Sequence, residues 1–296
     1  MSHQYVKQLV HIMWSTHEQK PYISEAFQND LYAYITSLVK SKNGNIIVIG
    51  GSCDHVHVLT TIPPDVSIVS MVSHLKAYSS KWAKKSMVAH PQFGWQKGFL
   101  AISTQDDKID NVCRYIRADK LNHASKSYEE ELKFILKQQD IDYIDKYVLQ
   151  DSYSKVFVHM VWATENRKPL LEKSIQPELH QQFNSIISRL GGVVHEIGGI
   201  EDHIHLLIEA PKSIALSDLI REVKTGMTHW IKAGNNSKFR HSDFAWQMGY
   251  GAFSVSYSGV EGVKHYIQGQ EVHHRKQSSD DEWNSFLLKN GCLMRS

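Results

Sequence analysis

Apolar and polar positions follow two periods along this chain. Val6-Lys-Gln-Leu-Val-His-Ile-Met-Trp14 is rich in β-forming residues and predicts a strand. From Ser24 to about Lys40, Phe27, Leu31, Tyr34, Ile35 and Leu38 recur at helical spacing, with Ser24 as the expected cap. Short strands follow over Asn45–Ile49, closed by Gly50-Gly51, and over Asp54–Ile62, stopped by Pro63-Pro64. Ile68, Met71, Val72, Leu75 and Trp82 mark a second helix from Ser67 to about Met87. A strand over Gly98–Ser103, a third helix over Asp106–Asn122 and a fourth over Tyr128–Lys137 complete the pattern. The order β-α-β-β-α-β-α-α predicts an α+β fold: a ferredoxin-like (split β-α-β) antiparallel sheet carrying helices, with extra C-terminal helices.

The pattern then repeats. Tyr5, His11, Trp14 and Lys20-Pro21 return as Tyr153, His159, Trp162 and Lys168-Pro169, a shift of 148 residues each time. Gly50-Gly51-Ser-Cys-Asp-His-Val-His57 returns at the same shift as Gly198-Gly199-Ile-Glu-Asp-His-Ile-His205. Beyond about Asn235–Ser242 the shift grows to 151, pairing Phe93-Gly-Trp-Gln-Lys-Gly-Phe99 with Phe244-Ala-Trp-Gln-Met-Gly-Tyr250 and Tyr115 with Tyr266. A register held across both halves is a duplication. It predicts two domains, 1–150 and 151–296, with the junction near Leu149–Ser154. No linker-like stretch separates them, so the copies are expected to pack as an internal pseudo-dimer, leaving the chain able to act as a monomer.

Composition narrows the class without choosing a function. Hydrophobic residues at 42% and charged residues at 22% are ordinary for a soluble protein. No run approaches a membrane span, and the first residues lack a signal-peptide layout. Three cysteines without framework or metal spacing fit a reducing, cytoplasmic setting. The net charge of +2 leaves any phosphate-binding surface to local clustering. The 18 histidines invite a search for metal ligands.

Asp54-His-Val-His57 and Asp202-His-Ile-His205 are the sharpest local signals. On a strand His55 and His57 share one face while Val56 turns away, so the two imidazoles can grip one divalent cation. Surface histidines on an edge strand are the plainer reading, and recurrence of the pair in both copies weighs against it. His11 and His159 recur on the first strand, where a supporting or core role is expected. In the third helix Tyr115 and Asp119 lie four residues apart, as do Tyr266 and Gln270, which stacks each pair on one face. A tyrosine at a core margin is the ordinary alternative. Lys76, Lys224, Arg275 and Lys276 are candidates for phosphate contacts or solvated charges, and Trp95 and Trp246 for stacking on a ligand or core packing.

Asp-His-hydrophobic-His, the run Trp246–Ser256 and the run Tyr266–His274 together resemble the single-tyrosine HUH transposases, including insertion-sequence and REP-associated members. The resemblance spans nearly the whole chain, once per half. It implies that His203, His205 and Gln270 are metal ligands and Tyr266 the nucleophile, with His55, His57 and Tyr115 their counterparts. Asp119 stands where the family has Gln, and Phe99–Thr104 replaces the second copy's run, so the two sites need not be equivalent.

The implied activity is Mg²⁺- or Mn²⁺-dependent nicking and rejoining of single-stranded, hairpin-bearing DNA through a 5′-phosphotyrosine link. Imidazole ligation favours Mn²⁺. The family further implies tyrosine helices working in trans, His55 and His57 with Tyr266 and Gln270, and His203 and His205 with Tyr115 and Asp119; cis pairing is the alternative. A non-cleaving single-stranded DNA-binding protein and a small-molecule metallohydrolase are the rival functions.

Overall fold

The structure, a computed structural model, describes residues 4–86, 90–118, 127–234, 243–274, 278–290 and 292. Its elements run β1 (Gln4–Lys7), β2 (Leu9–Ser15), α1 (Glu25–Ser41), β3 (Asn45–Gly51), β4 (His55–Thr61), α2 (Ile68–Ala83), β5 (Phe99–Thr104), α3 (Ile109–Arg117) and α4 (Tyr128–Gln138). The second half runs β6 (Ser152–Lys155), β7 (Phe157–Ala163), α5 (Gln176–Arg189), β8 (Val193–Ile200), β9 (His203–Glu209), α6 (Leu216–Ala233), β10 (Tyr250–Val255), α7 (Val260–Gln268), α8 (Gln270–His274) and α9 (Ser279–Lys289).

Two compact units form, Leu9–Val156 and a second made of Met1–Gln8 with Phe157–Ser296. The first unit's sheet has the order β3-β4-β2-β5-β6, and the second unit's has β8-β9-β7-β10-β1. In each, four antiparallel strands make the ferredoxin-like core expected from the sequence. The fifth strand adds in parallel: β6 beside β5, and β1 beside β10. The strand expected over Val6–Trp14 is therefore two strands. Chain order puts β1 at the start of the first repeat and β6 at the start of the second, yet each completes the other repeat's sheet. The compact units consequently cut the chain a few residues away from the repeat junction.

The central strand β2 is buried along its whole length, because helices cover both faces of the sheet. On one face Phe27 of α1 packs against Trp82 of α2 and against Phe93, and Trp14 meets Trp95 edge-on. On the other, Cys113 and Ile116 of α3 lie on Val48 and Leu59, and Leu132 and Leu136 of α4 cluster with Met13 and Leu100. The second unit repeats this plan with Phe183, Trp162 and Trp246 on one face. Val260 and Ile267 pack with Leu207, and Phe286 packs with Phe253, on the other. Ser24 takes the extended N-cap conformation of α1 but makes no side-chain cap bond. Among the described residues no helix is long and apolar enough to cross a membrane.

Candidate metal and nucleophile sites

Strand alternation aims His55 and His57 at the face covered by α3 and α4, while Val56 turns to the α1–α2 side. Register places Gly50 opposite His57 and Gly198 opposite His205. A Cβ on Gly50 would sit 2.7 Å from the Ile116 side chain, and one on Gly198 would sit 2.6 Å from the Ile267 carbonyl oxygen. Glycine at these two positions thus lets the tyrosine helix press against the histidine strand. Tyr115 and Tyr266, each one residue before the isoleucine in contact, arrive beside the imidazoles. The ring centroids are 5.9 Å apart for His57 and Tyr115 and 5.6 Å for His205 and Tyr266. Each tyrosine faces the histidines of its own repeat. This is the cis arrangement, the alternative to the trans exchange that the resemblance implies.

The third corner of each site is a residue that the sequence reading passed over. Glu131 stands one turn into α4 and Glu282 one turn into α9, and caps set both helices in place. Ser127 and Glu130 form a capping box, and Ser278 accepts from the Asp281 amide. The Nε2 atoms of His55 and His57 lie 3.7 and 3.5 Å from a Glu131 oxygen. Those of His203 and His205 lie 3.4 and 3.5 Å from Glu282. The Tyr115 hydroxyl donates to Glu131 and the Tyr266 hydroxyl to Glu282. The signal was present: Glu131 returns as Glu282 at the shift of 151 that pairs the tyrosines.

Each imidazole is held from behind. Asp54 accepts from His55 Nδ1 at 2.7 Å, and Asp202 from His203 Nδ1 at 2.6 Å. His57 Nδ1 meets His11 Nε2, and His205 Nδ1 meets His159 Nε2, both at 3.0 Å. The tautomer that frees Nε2 makes the strand histidine the donor in the second pair. Burial, with His205 beside it, pushes the His159 imidazole well down, which keeps it neutral and able to accept. His11 and His159 therefore orient the site from beneath it, the supporting role expected of them.

The donor set suits a divalent cation. Two imidazole nitrogens and a carboxylate oxygen, all on buried residues, lie within 4.8 Å of one another in each unit. In the second unit burial lowers His203, but Asp202 and Glu282 on its two nitrogens outweigh this and hold it up at about 9. Burial takes His205 down to about 4. Desolvation raises Glu282, yet His203, His205 and Tyr266 overcome it and hold the carboxyl well below its usual range. Burial and Glu282 push the Tyr266 phenol well up. At neutral pH a neutral phenol thus faces an ionised carboxylate.

Gln270 does not continue the tyrosine helix. α7 ends at Gly269, and Gln270 opens α8, buried. Its amide donates to Glu282 at 2.8 Å, and its carbonyl faces His274 Nε2 at 3.1 Å. In this geometry Glu282 faces the histidine pair and Gln270 steadies Glu282. His274 Nε2 adds a further contact to Glu282 at 2.9 Å. Asp119, Arg275 and Lys276 lie outside the described residues.

Lys76 and Lys224 do not stand on an open phosphate-binding face. The Lys76 ammonium donates to the carbonyls of Gln96, Lys97 and Gly98 at 2.6–3.0 Å. Lys224 donates to those of Gln247 and Gly249. Burial lowers Lys76 to about 7 and Lys224 to about 8. Each lysine pins the loop that enters β5 or β10. Trp95 donates to Ser79 at 2.8 Å, and Trp246 is buried among Phe183, Phe244 and Trp162, so both serve the core.

The model of the family described as "Transposase IS200 like" matches residues 4–119 and again 152–270. The chain belongs to the IS200-like transposase family. It carries that family's domain twice. Among solved structures, the chain is similar to a Deinococcus radiodurans R1 protein taken to be a transposase, at 17% identity and a TM-score of 0.31, over 40% of this chain and 97% of that one. It is also similar to a REP-associated tyrosine transposase bound to a REP hairpin, at 16% identity and a TM-score of 0.32, over 42% and 73% of the two chains. No curated protein matches the chain. As a member of the IS200-like transposases the chain is a DNA-processing protein, and its two matched segments each contain one His-x-His strand and the helix tyrosine that faces it.

Proposed function

We propose that this IS200-like transposase nicks and rejoins single-stranded DNA, with Tyr266 as the nucleophile and Tyr115 as its counterpart in two cation-dependent sites. The observation that carries the reading is the phenol–carboxylate–imidazole cluster, built from the same residue types in both units. His203, His205 and Glu282 would hold the cation in one site, and His55, His57 and Glu131 in the other. When bound, a divalent cation supplies Lewis-acid polarisation and alignment of the scissile phosphate.

The residues of the chain do the rest. Tyr266 Oη attacks phosphorus, and the bond from phosphorus to the leaving 3′-oxygen breaks, which leaves a 5′-phosphotyrosine and a free 3′-hydroxyl. The phenol proton is lost to solvent as the bond forms, with Glu282 orienting Oη through the hydrogen bond it accepts, and the departing oxygen takes a proton from solvent. A free phenol is ionised in only about one molecule in a thousand at pH 7, so an acceptor within hydrogen-bond reach matters. Gln270 and His274 keep that acceptor in place. Rejoining runs the same steps backwards, with the 3′-hydroxyl as nucleophile and tyrosine as leaving group. Mn²⁺ is expected to support faster cutting than Mg²⁺ at equal concentration, since imidazole ligation suits the softer ion.

The test is incubation of the full chain with labelled single-stranded oligonucleotides from the flanks of its own gene, in Mn²⁺. A denaturant-stable adduct that disappears when Tyr115 and Tyr266 are both changed to Phe supports the reading. An adduct that persists in the double variant, or none with any flank strand, ends it.

A further inference from the structure

A cavity of about 490 Å³ opens in the second unit, a size typical of pockets that take a small ligand. His203, His205 and Glu282 line part of it, so its occupant lies directly against the proposed reaction centre. The other walls differ in character. Trp283 of α9 and Tyr5 of β1 meet edge to face, with centroids 5.8 Å apart. The Trp283 indole lies against the β10 backbone, where only a glycine leaves room: a Cβ on Gly251 would sit 2.9 Å from the ring. Met248 is 80% exposed and lends the rim an adaptable apolar side chain. Lys224 fixes the loop that carries Met248 through the carbonyls on either side of it.

Arg167 lines the cavity with its guanidinium 3.6 Å from Asp202, the carboxylate behind His203. Its backbone is held at a φ of 51°, next to Asn166 at 55°, a conformation that non-glycine residues adopt at a cost. The cavity thus offers aromatic and thioether surfaces together with a cation close to the histidine–glutamate triad.

We propose that this cavity seats one unpaired base of the DNA strand next to the scissile phosphate, with Trp283 and Tyr5 against the base and Arg167 toward the backbone. Flat apolar walls suit any base, because every base has a π-face. A base still paired in a duplex could not enter a pocket of this size, so the seat also selects single strands. The proposal rests on the reading above in taking DNA as the ligand, and it adds the residues that hold the reacting nucleotide.

The experiment is a titration of the full chain in EDTA with two probes, a ten-nucleotide oligothymidylate and the same sugar-phosphate backbone with every position abasic. The wild-type chain is expected to prefer the base-bearing probe by about tenfold or more. Trp283→Leu, the residue at the matching position of the first unit, is expected to shrink that preference about tenfold. Ser279→Tyr, which also copies the first unit and fills the cavity, should do the same, and it carries the test should Trp283→Leu lower the melting temperature. A preference unchanged in a folded Ser279→Tyr variant overturns the seat. No strand is cut in EDTA, so the two readings fail separately. A base preference with no covalent adduct retires the nicking reading alone, and an adduct with no base preference retires the seat alone.

Discussion

The two sites hold the same histidine–histidine–glutamate triad behind different doors. His55, His57 and Glu131 superimpose in type and spacing on His203, His205 and Glu282, down to the aspartate and histidine that brace each pair. The surroundings diverge at four positions that the duplication aligns. Ser279, Trp283, Met248 and Arg167 of the second repeat correspond to Tyr128, Leu132, Lys97 and Gln19 of the first. Ser279 opens α9 and lines the cavity. Tyr128 opens α4 and is only 3% exposed, its ring 5.2 Å from that of His55. Burial, with Glu131 alongside, pushes its phenol well above the usual range, so Tyr128 is a neutral space-filler. The triad is kept in both copies, while the residue that opens the following helix is a small serine lining a cavity in one and a buried tyrosine in the other.

The largest expected effect follows from that difference. Tyr266→Phe should lower covalent adduct formation on single-stranded DNA about a thousandfold or more, as loss of a nucleophile does, and Tyr115→Phe should change it little. The double variants sharpen this into a test of pairing. With cis sites, His55→Ala with Tyr115→Phe damages the first site alone and leaves nearly full adduct yield. With exchanged tyrosines the same pair of changes would disable both sites. Adduct quantified on denaturing gels separates the cases, and equal losses from the two single Phe variants would break the comparison.

Exchanging the door residues comes next. Ser279→Tyr is expected to reduce adduct yield about a hundredfold by displacing the substrate strand from Tyr266. The reciprocal change, Tyr128→Ser, should cost about 3 kcal/mol of stability, because it empties a buried aromatic site. Placed in a Tyr266→Phe background, it should bring back a detectable adduct through Tyr115. A gel with no recovered adduct from a folded variant would mean that Tyr128 is not what closes the first site.

Much of this was legible in the sequence, and the parts that were not have physical reasons. The duplication, the order of strands and helices along the chain and the histidine pairs follow from periodicity, because strand alternation and a fixed repeat shift are one-dimensional signals. The strand exchange is invisible to periodicity: β1 and β2 read as one run from Val6 to Trp14, and only pairing partners tell them apart. Glu131 and Glu282 escaped because they come from a helix that follows the tyrosine helix, where spacing along the chain says nothing about distance in space. Gln270 was singled out at helical spacing from Tyr266, yet Gly269 ends α7 between them and the side chain reaches the site from the next turn. Lys76 and Lys224 look like phosphate contacts by type, and only the carbonyls around them reveal otherwise.

The carboxylates test the other half of the comparison, the shared triad. Glu131→Gln and Glu282→Gln should each weaken Mn²⁺ binding to their own site about ten- to a hundredfold, measured by calorimetry, since the charge of the third corner is lost while its shape remains. Equal losses fit one triad used twice. A loss at only one site would mean that the pair differs in the metal centre as well as at the door. A chain that binds Mn²⁺ as tightly after both changes would place the cation elsewhere.

The smallest effect distinguishes the loops that frame the two doors. From an ordinary value of 10.5, burial brings Lys76 to about 7 and Lys224 to about 8. Between the folded value and 10.5 the unfolded chain binds a proton that the folded chain has released, so each lysine makes stability rise with pH in that window. His203 works the other way in the second unit: its raised value means that its contribution fades as pH climbs toward about 9. The lysine effect is therefore read as a difference between wild type and a Lys→Met variant. Against Lys76→Met, the wild-type chain should gain on the order of 1–2 kcal/mol in urea unfolding between pH 7 and 9, a range set below the full shift because three carbonyls support the charged form. Against Lys224→Met the gain should begin about one pH unit later and be smaller over the same interval. A flat difference for Lys76 would mean that its ammonium stays charged under the loop, and would leave the carbonyl cage, rather than desolvation, in control of both doors.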